Sequence, residues 1–354
     1  MSAVLNSPAA ALDDAQQRSE GVWHAAWRRY KADKVGLVAL IIVVSFIVMI
    51  AASALGLIAR DWQKEVGVPN APPTFLGPAA ATPQGAEGPA AAKAPNVDLS
   101  DIDPLAPRYN EWAELAKKYQ TEEVVKADTL PFGGDRLGRD VLAKAIKGTE
   151  ISVFVGVMAA IAATALGTLL GALAGFFGGK VGDFLEWMYN VFESIPNILL
   201  IFAFAAVVGR GVESVVVILA LTGWTGMYRQ VRAEFIKHSS REYVRAAEAM
   251  GASSGRRMFS HILPNVSHVI LVRMGLLVVG FIKAEVILSY LGLGVRVDQV
   301  SWGTMLAEAQ SELILGHWWQ LVAATLFMAV FVTAFSMMAD AWRDALDPKL
   351  RGLE

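Results

Sequence analysis

Few residues in this chain are equipped for bond chemistry. There is no Cys, which removes thiolate metal sites, disulfides and thiol nucleophiles together. The five histidines, His24, His238, His261, His268 and His317, form no i, i+4 ligand pair and no HExxH zinc motif. Gly178, Gly179 and Lys180 come nearest to a phosphate-binding loop. That loop needs Ser or Thr after the lysine and a Gly five residues before the second glycine, and here Val181 and Ala174 stand in those places. Asp135 and Asp140 flank a Gly-rich turn with cationic Arg136 and Arg139 between them, a pattern that favours a structural turn over a metal. If the protein moves a solute uphill, the energy comes from a partner or an ion gradient.

The remaining candidates are charges inside apolar stretches, each costing about 2.5–3.5 kcal/mol at a helix centre by insertion scales. Glu193 and Glu285 are such residues and normally face a bundle interior. Lys283 is too close in sequence to serve Glu285, because i, i+2 neighbours on a helix do not face one another. Glu193, Pro196 and Glu285 are therefore candidates for a translocation path. Arg273 lies near enough to a span's end to snorkel to the interface and receives no role.

The elements that position these residues follow from composition. Counting Gly and omitting Tyr, about 62% of the 354 residues are apolar and 18% are charged, against about 45–50% and 25% in soluble domains. A net charge of −2 argues against nucleic acid, which requires a basic excess. A membrane protein remains, and a bilayer crossing takes about 20 mostly apolar residues. Such stretches occur at Val35–Ala59, Ile151–Phe177, Trp187–Val208, Val212–Tyr228, Val266–Leu293 and Trp318–Ala339. The reading is all-α and polytopic with six spans. The first is too long for a signal peptide and reads as a retained anchor. Basic residues crowd the first 34 positions (Arg18, Arg28, Arg29, Lys31, Lys34) and the segment after the fourth span (Arg229 to Arg257), while the short loops of opposite parity hold Arg210 and Arg296 alone. By the positive-inside rule both termini are cytoplasmic.

An extracytoplasmic insert then runs from 60 to 148. Its Pro-rich part, Pro69–Pro95, cannot support a packed core and reads as extended, whereas Asn110–Asp128 places Trp112, Leu115, Tyr119 and Val125 near helical spacing. It decorates the membrane domain or docks an extracytoplasmic partner. Gly167, Gly171 and Gly175 recur every four residues, so one face of the second span admits another backbone closely. The spacing leaves open whether that neighbour is in the same chain.

Between the fourth and fifth spans runs REYVRAAEAMGASSGRRMFSHILPN, Arg241 to Asn265. Glu242–Met250 is rich in helix formers, Gly251 can end that helix in a left-handed conformation, and a second helical piece runs to Pro264. Ala246 and Ala247 offer a small-residue surface for a groove on another protein, with Tyr243, Arg245 and Glu248 as larger contacts. This segment resembles the coupling motif of the permease subunits of bacterial ABC importers: EAA, three residues, G, nine residues, I, one residue, LP. Ala246, Ala247, Gly251, Leu263 and Pro264 match it, with Arg245 in place of the acid and His261, beside Ile262, in place of the isoleucine. Phe132–Val153, Gly175–Pro196, Leu288–Gly294, Ser301–Leu306 and Asp340–Gly352 are also similar to segments of the dipeptide and oligopeptide subfamily, specifically its C-type subunit.

The resemblance implies a type I ABC-importer permease fold in the bacterial inner membrane. It implies a cytoplasmic N-terminal segment 1–34, a first helix 35–59, the insert 60–148, a transmembrane domain 149–341 and a cytoplasmic tail 342–354. A chain of this kind is non-catalytic and holds no cofactor of its own; ATP and Mg bind to two cytoplasmic ATPase subunits. It pairs with a B-type permease subunit and receives peptide or a similar small solute from an extracytoplasmic solute-binding protein. Leu288–Gly294 and the loop Val295–His317 would shape the receiving mouth. Without the resemblance, two rivals stand: an ion-coupled secondary transporter using Glu193, Lys283 and Glu285 as a relay, and a membrane scaffold or sensor built on the insert.

Overall fold

The computed structural model describes residues 22–78, 108–118 and 126–346. Arg18, residues 79–95 of the Pro-rich segment, Tyr119, Val125 and the tail from 347 onward lie outside the described residues. Within them the regular structure is helical, accompanied by isolated β-bridges.

Two helices open the chain, α1 (Val22–Ala32) and α2 (Lys34–Ala54). Between them Asp33 adopts an extended backbone and its carboxylate accepts the Val35 amide at 2.9 Å, an N-cap that starts the apolar helix afresh. Tyr30 of α1 is fully buried, stacks on Trp342 at 4.7 Å and donates its hydroxyl to the Gly36 carbonyl. At Gly36 a Cβ would lie 2.5 Å from that of Ala341, so α2 and the last helix touch there nearly backbone to backbone.

The long α4 (Val141–Phe177) carries the alanines at the centre of the bundle, Ala159, Ala160 and Ala163, all without exposure. Next come α5 (Gly179–Glu193) and α6 (Asn197–Val208), which meet at 88°. Pro196 causes the break: it has no amide hydrogen to donate and drives the preceding Ile195 away from helical geometry. The stretch read from sequence as one span, Trp187–Val208, thus begins inside one helix and ends in another. Likewise Val212–Tyr228 falls across two helices, α7 (Val212–Gly223) and α8 (Thr225–Ser239), joined at buried Trp224.

After α8 come the short α9 (Glu242–Ala249), one turn at Ser254–Arg256, a π-helical turn at Arg257–Ile262, and α10 (Leu263–Tyr290). Pro264 does not end a helix as expected from sequence. It occupies the first positions of α10, where a missing N–H costs nothing. The segment Val295–His317, read as a loop, contains α11 (Trp302–Ile314), started by a capping box in which Ser301 and Thr304 bond each other's backbone amides. The last helix is α12 (Trp319–Leu346), packed along α1, α2, α10 and α11. By length and composition α2, α4 and α12 can each cross a bilayer alone, and α5 with α6 can do so as a broken span. At 28 residues α10 is equally long, but it carries Arg273, Lys283 and Glu285.

Residues Asp61–Leu142 form a compact unit of their own. Its framework ties the start of the insert to its end: Gly67 pairs with Ala127, Pro73 with Leu130 and Glu65 with Arg139. The first part of the Pro-rich segment is accordingly not an unanchored extended chain. Ala71 is fully buried, and the amides of Asn70 and Thr74 bond the carbonyls of Asp135 and Leu130. The helix expected at Asn110–Asp128 is α3 (Tyr109–Lys118), with Trp112 and Leu115 exposed.

Candidate functional site

Helix α9 ends in a Schellman motif. Gly251 has φ +84°, its amide bonds the Glu248 carbonyl, and the Ala252 amide bonds that of Ala247. This glycine is needed for its left-handed backbone, since no atom lies within 4 Å of where a Cβ would be. The two faces of α9 differ. Val244 and Ala247 are each 2% exposed, and Val244 joins an apolar cluster with Met227, Val231 and Phe235 of α8 and Met258, Ile262 and Val266 at the entry to α10. Arg245, Ala246, Glu248 and Tyr243 are exposed, and Met250 at the tip is 80% exposed. Of the two alanines, only Ala246 is presented outward, while Ala247 packs within the chain.

Polar contacts brace α9. Glu248 pairs with Arg257 at 2.5 Å, and the Arg257 guanidinium lies 5.3 Å from the Phe176 ring centroid at the end of α4. The Tyr243 hydroxyl lies 2.8 Å from Nδ1 of His238 on α8. His261 and Leu263 are half-buried, Pro264 is exposed, and Ile262 is the fully buried member of the cluster. The isoleucine displaced by one residue in the motif therefore still supplies the core contact.

The glycine face of α4 packs against α8 of the same chain. Cβ atoms at Gly167, Gly171 and Gly175 would lie 2.6, 2.7 and 2.6 Å from the carbonyl oxygens of Trp224, Tyr228 and Arg232. Three glycines four residues apart meet three carbonyls four residues apart, so α4 and α8 are in backbone contact over two turns.

A cavity of about 490 Å³ opens between α5, α6, α7, α8 and α10, and Glu193, Pro196, Arg229 and Arg273 are among its lining. Two of the three translocation-path candidates are thus brought together. Glu285 is not: it is fully buried and away from the cavity, its carboxylate accepting the hydroxyls of Ser152 at 2.7 Å and Ser289 at 2.6 Å. Ser152 in turn accepts the Trp302 amide and Ser289 the Val295 amide, so Glu285 ties α4, α10 and the start of α11 together. Lys283 is exposed on another face of α10. The relay that a secondary transporter would draw from Glu193, Lys283 and Glu285 is not assembled. Arg273, expected to snorkel, instead lines the cavity against Gly226, and no sequence signal beyond its place in an apolar stretch marked it.

Asp135 is consumed by its turn, accepting the amides of Leu137 and Arg139 and the Arg139 Nε at 2.7 Å, and Asp140 accepts the Leu142 amide.

The chain is 38% identical over 220 residues to the dipeptide transport system permease protein DppC of Bacillus subtilis, covering 62% of this chain and 69% of the relative. It is 34% identical over 238 residues to the oligopeptide transport system permease protein OppC of the same organism, covering 66% and 78%. A dipeptide transport system permease protein DppC of Lactococcus lactis matches at 29% identity over 324 residues, 92% of this chain and 90% of the relative, so that alignment takes in the insert. Residues 167–352, from the glycine ladder through α9 to beyond α12, match the family described as binding-protein-dependent transport system inner membrane component. That match takes in more than half of the chain, and the chain belongs to the family, as a multi-pass permease of the inner membrane.

Proposed function

We propose that this chain is the C-type permease subunit of an ATP-driven importer for peptides or similar small solutes. It crosses the lipid bilayer six times with both termini cytoplasmic, pairs with a B-type permease subunit, receives solute from an extracytoplasmic solute-binding protein and docks two cytoplasmic ATPase subunits through α9. ATP and Mg, bound in those subunits, supply the free energy. No bond chemistry falls to this chain.

One observation carries the reading: α9 is seated on α8 and on the π-helical turn that leads into α10, and α8 and α10 form a wall of the cavity. Val244 shares one buried apolar cluster with Met227 and Val231 of α8, Met258 and Ile262 of the π-helical turn and Val266 of α10, and Arg229 of α8 and Arg273 of α10 line the cavity. A push on the outward face of α9 therefore reaches the cavity walls through contiguous packing. Close-packed elements of this kind switch between discrete arrangements rather than deform continuously, which suits alternating access.

Ala246→Trp tests the docking without touching the chain's own core. In proteoliposomes holding the complete importer, ATP-driven peptide uptake should fall at least about tenfold, roughly 1.4 kcal/mol on the rate-limiting barrier, while this chain inserts normally. Undiminished uptake would remove the docking role. Uptake driven by a proton gradient and indifferent to ATP would restore the secondary-transporter reading.

A further inference from the structure

We propose that the cavity is a resting site for the solute on its way through, and that Arg273 holds a carboxylate of that solute there. The proposal rests on the importer reading above and adds a site and a chemical group to it.

The Arg273 Nε is a buried donor with no acceptor among the described residues. Leaving a buried donor unsatisfied is destabilising, the more so for a charged group, so a guanidinium held this way is poised for an acceptor that arrives from elsewhere. The fold makes room for it: a Cβ at Gly226 would lie 2.8 Å from the Arg273 Nη2, and any other residue there would press the guanidinium out of place. Arg229 lines the same cavity. Against these two cations stands one carboxylate, Glu193, and no ion pair joins it to either arginine among the described residues. The site is thus net cationic with its charges unspent on one another, and it contains a planar donor fork of the geometry that matches carboxylates. About 490 Å³ is within the ordinary range for small-molecule sites, roughly 300–1,000 Å³. A linear peptide with a free C-terminus carries the required anion there, and Glu193 offers the opposite sign to an ammonium.

The absence of Cys from this chain permits a chemical test, with the wild-type importer treated by the same reagents as the control for thiols in its partners. Arg273→Cys is placed in the complete importer, reconstituted in proteoliposomes with its solute-binding protein, and treated with methanethiosulfonates of similar size that leave a cationic aminoethyl, a neutral or an anionic sulfonatoethyl group. Uptake of a tripeptide with a free C-terminus should fall at least about tenfold in the untreated variant. The cationic adduct should restore it to within about threefold of wild type, and the other two adducts should not. Equal restoration by all three adducts, or by none, or full uptake in the untreated variant, would overturn the proposal. Arg273→Lys offers a check that does not rely on labelling: it should keep more uptake than Arg273→Gln, and equal loss in the two would count against a carboxylate partner. If the wild-type importer carries no peptide at all, it is the importer's cargo reading that falls, and this inference with it.

Discussion

Glu285 and His238 show how single ionisable groups are accommodated at opposite extremes. Glu285, in the middle of the bundle, is surrounded by hydroxyl donors, one of them four residues along its own helix and another 133 residues away. The near one, Ser289, is visible in the sequence as an i, i+4 neighbour; the distant Ser152 is not, so the sequence leaves open both a partner elsewhere in the bundle and a cavity role for Glu285, and the structure supplies the partner. His238 sits beside α9, where burial pushes its imidazole below the ordinary value of 6.5 against the opposing pull of the Glu234 carboxylate. With its folded value lowered, the folded protein binds fewer protons than the unfolded chain once the pH drops below 6.5. Stability present at neutral pH is then lost as pH falls through 6.5 toward the folded value. Thermal unfolding between about pH 7.5 and about pH 5 should show this decline, and His238→Gln should flatten it. A slope identical in the variant would mean that other groups dominate.

At the scale of elements, the glycine ladder fixes α8 to α4. Gly171→Leu forces a side chain into space bounded by the Tyr228 carbonyl and Val231 Cβ. Overpacking of this kind costs about 1–3 kcal/mol, so the apparent Tm in detergent should drop by several degrees. Gly255→Leu, where no atom lies within 4 Å of the Cβ position, should leave it nearly unchanged. The four-residue spacing identifies the glycine face from sequence alone, but the matching carbonyls belong to backbone and leave no mark on side-chain type. Similar reasons account for the other elements. Pro196 announces a disturbance, yet not whether it kinks a span or turns the chain by 88°. Helix α11 is obscured by mixed polarity between Val295 and His317; its signal was the Ser301–Thr304 pair. In α9, the left-handed role of Gly251 is legible, whereas the burial of Ala247 rather than Ala246 depends on where α8 and the π-helical turn lie.

For the whole molecule, the arrangement of faces relative to the membrane follows from the proposed topology. Single cysteines at Met250, 80% exposed, and at Val297, 91% exposed, should react with a membrane-impermeant maleimide from opposite sides: the first only in inside-out vesicles, the second only in intact cells stripped of their outer layer. Labelling of both from one side would overturn the six-span count. The hydropathy pattern locates the helices long and apolar enough to cross, because lipid demands long apolar runs, while the compact unit Asp61–Leu142 is held by backbone pairing and one buried aspartate, features with little hydropathic trace. Finally, the charge-free stretch Ile151–Phe177 within α4 rises about 40 Å at 1.5 Å per residue, more than the roughly 30 Å of hydrocarbon it crosses, and helices absorb such excess by leaning. A thicker host bilayer would make α4 stand more upright, and the ladder leaves α8 no slack with which to stay behind. In the proposed importer, lipid thickness would then act mechanically on α9 through α8, and transport rate should track acyl-chain length even where no lipid is specifically bound.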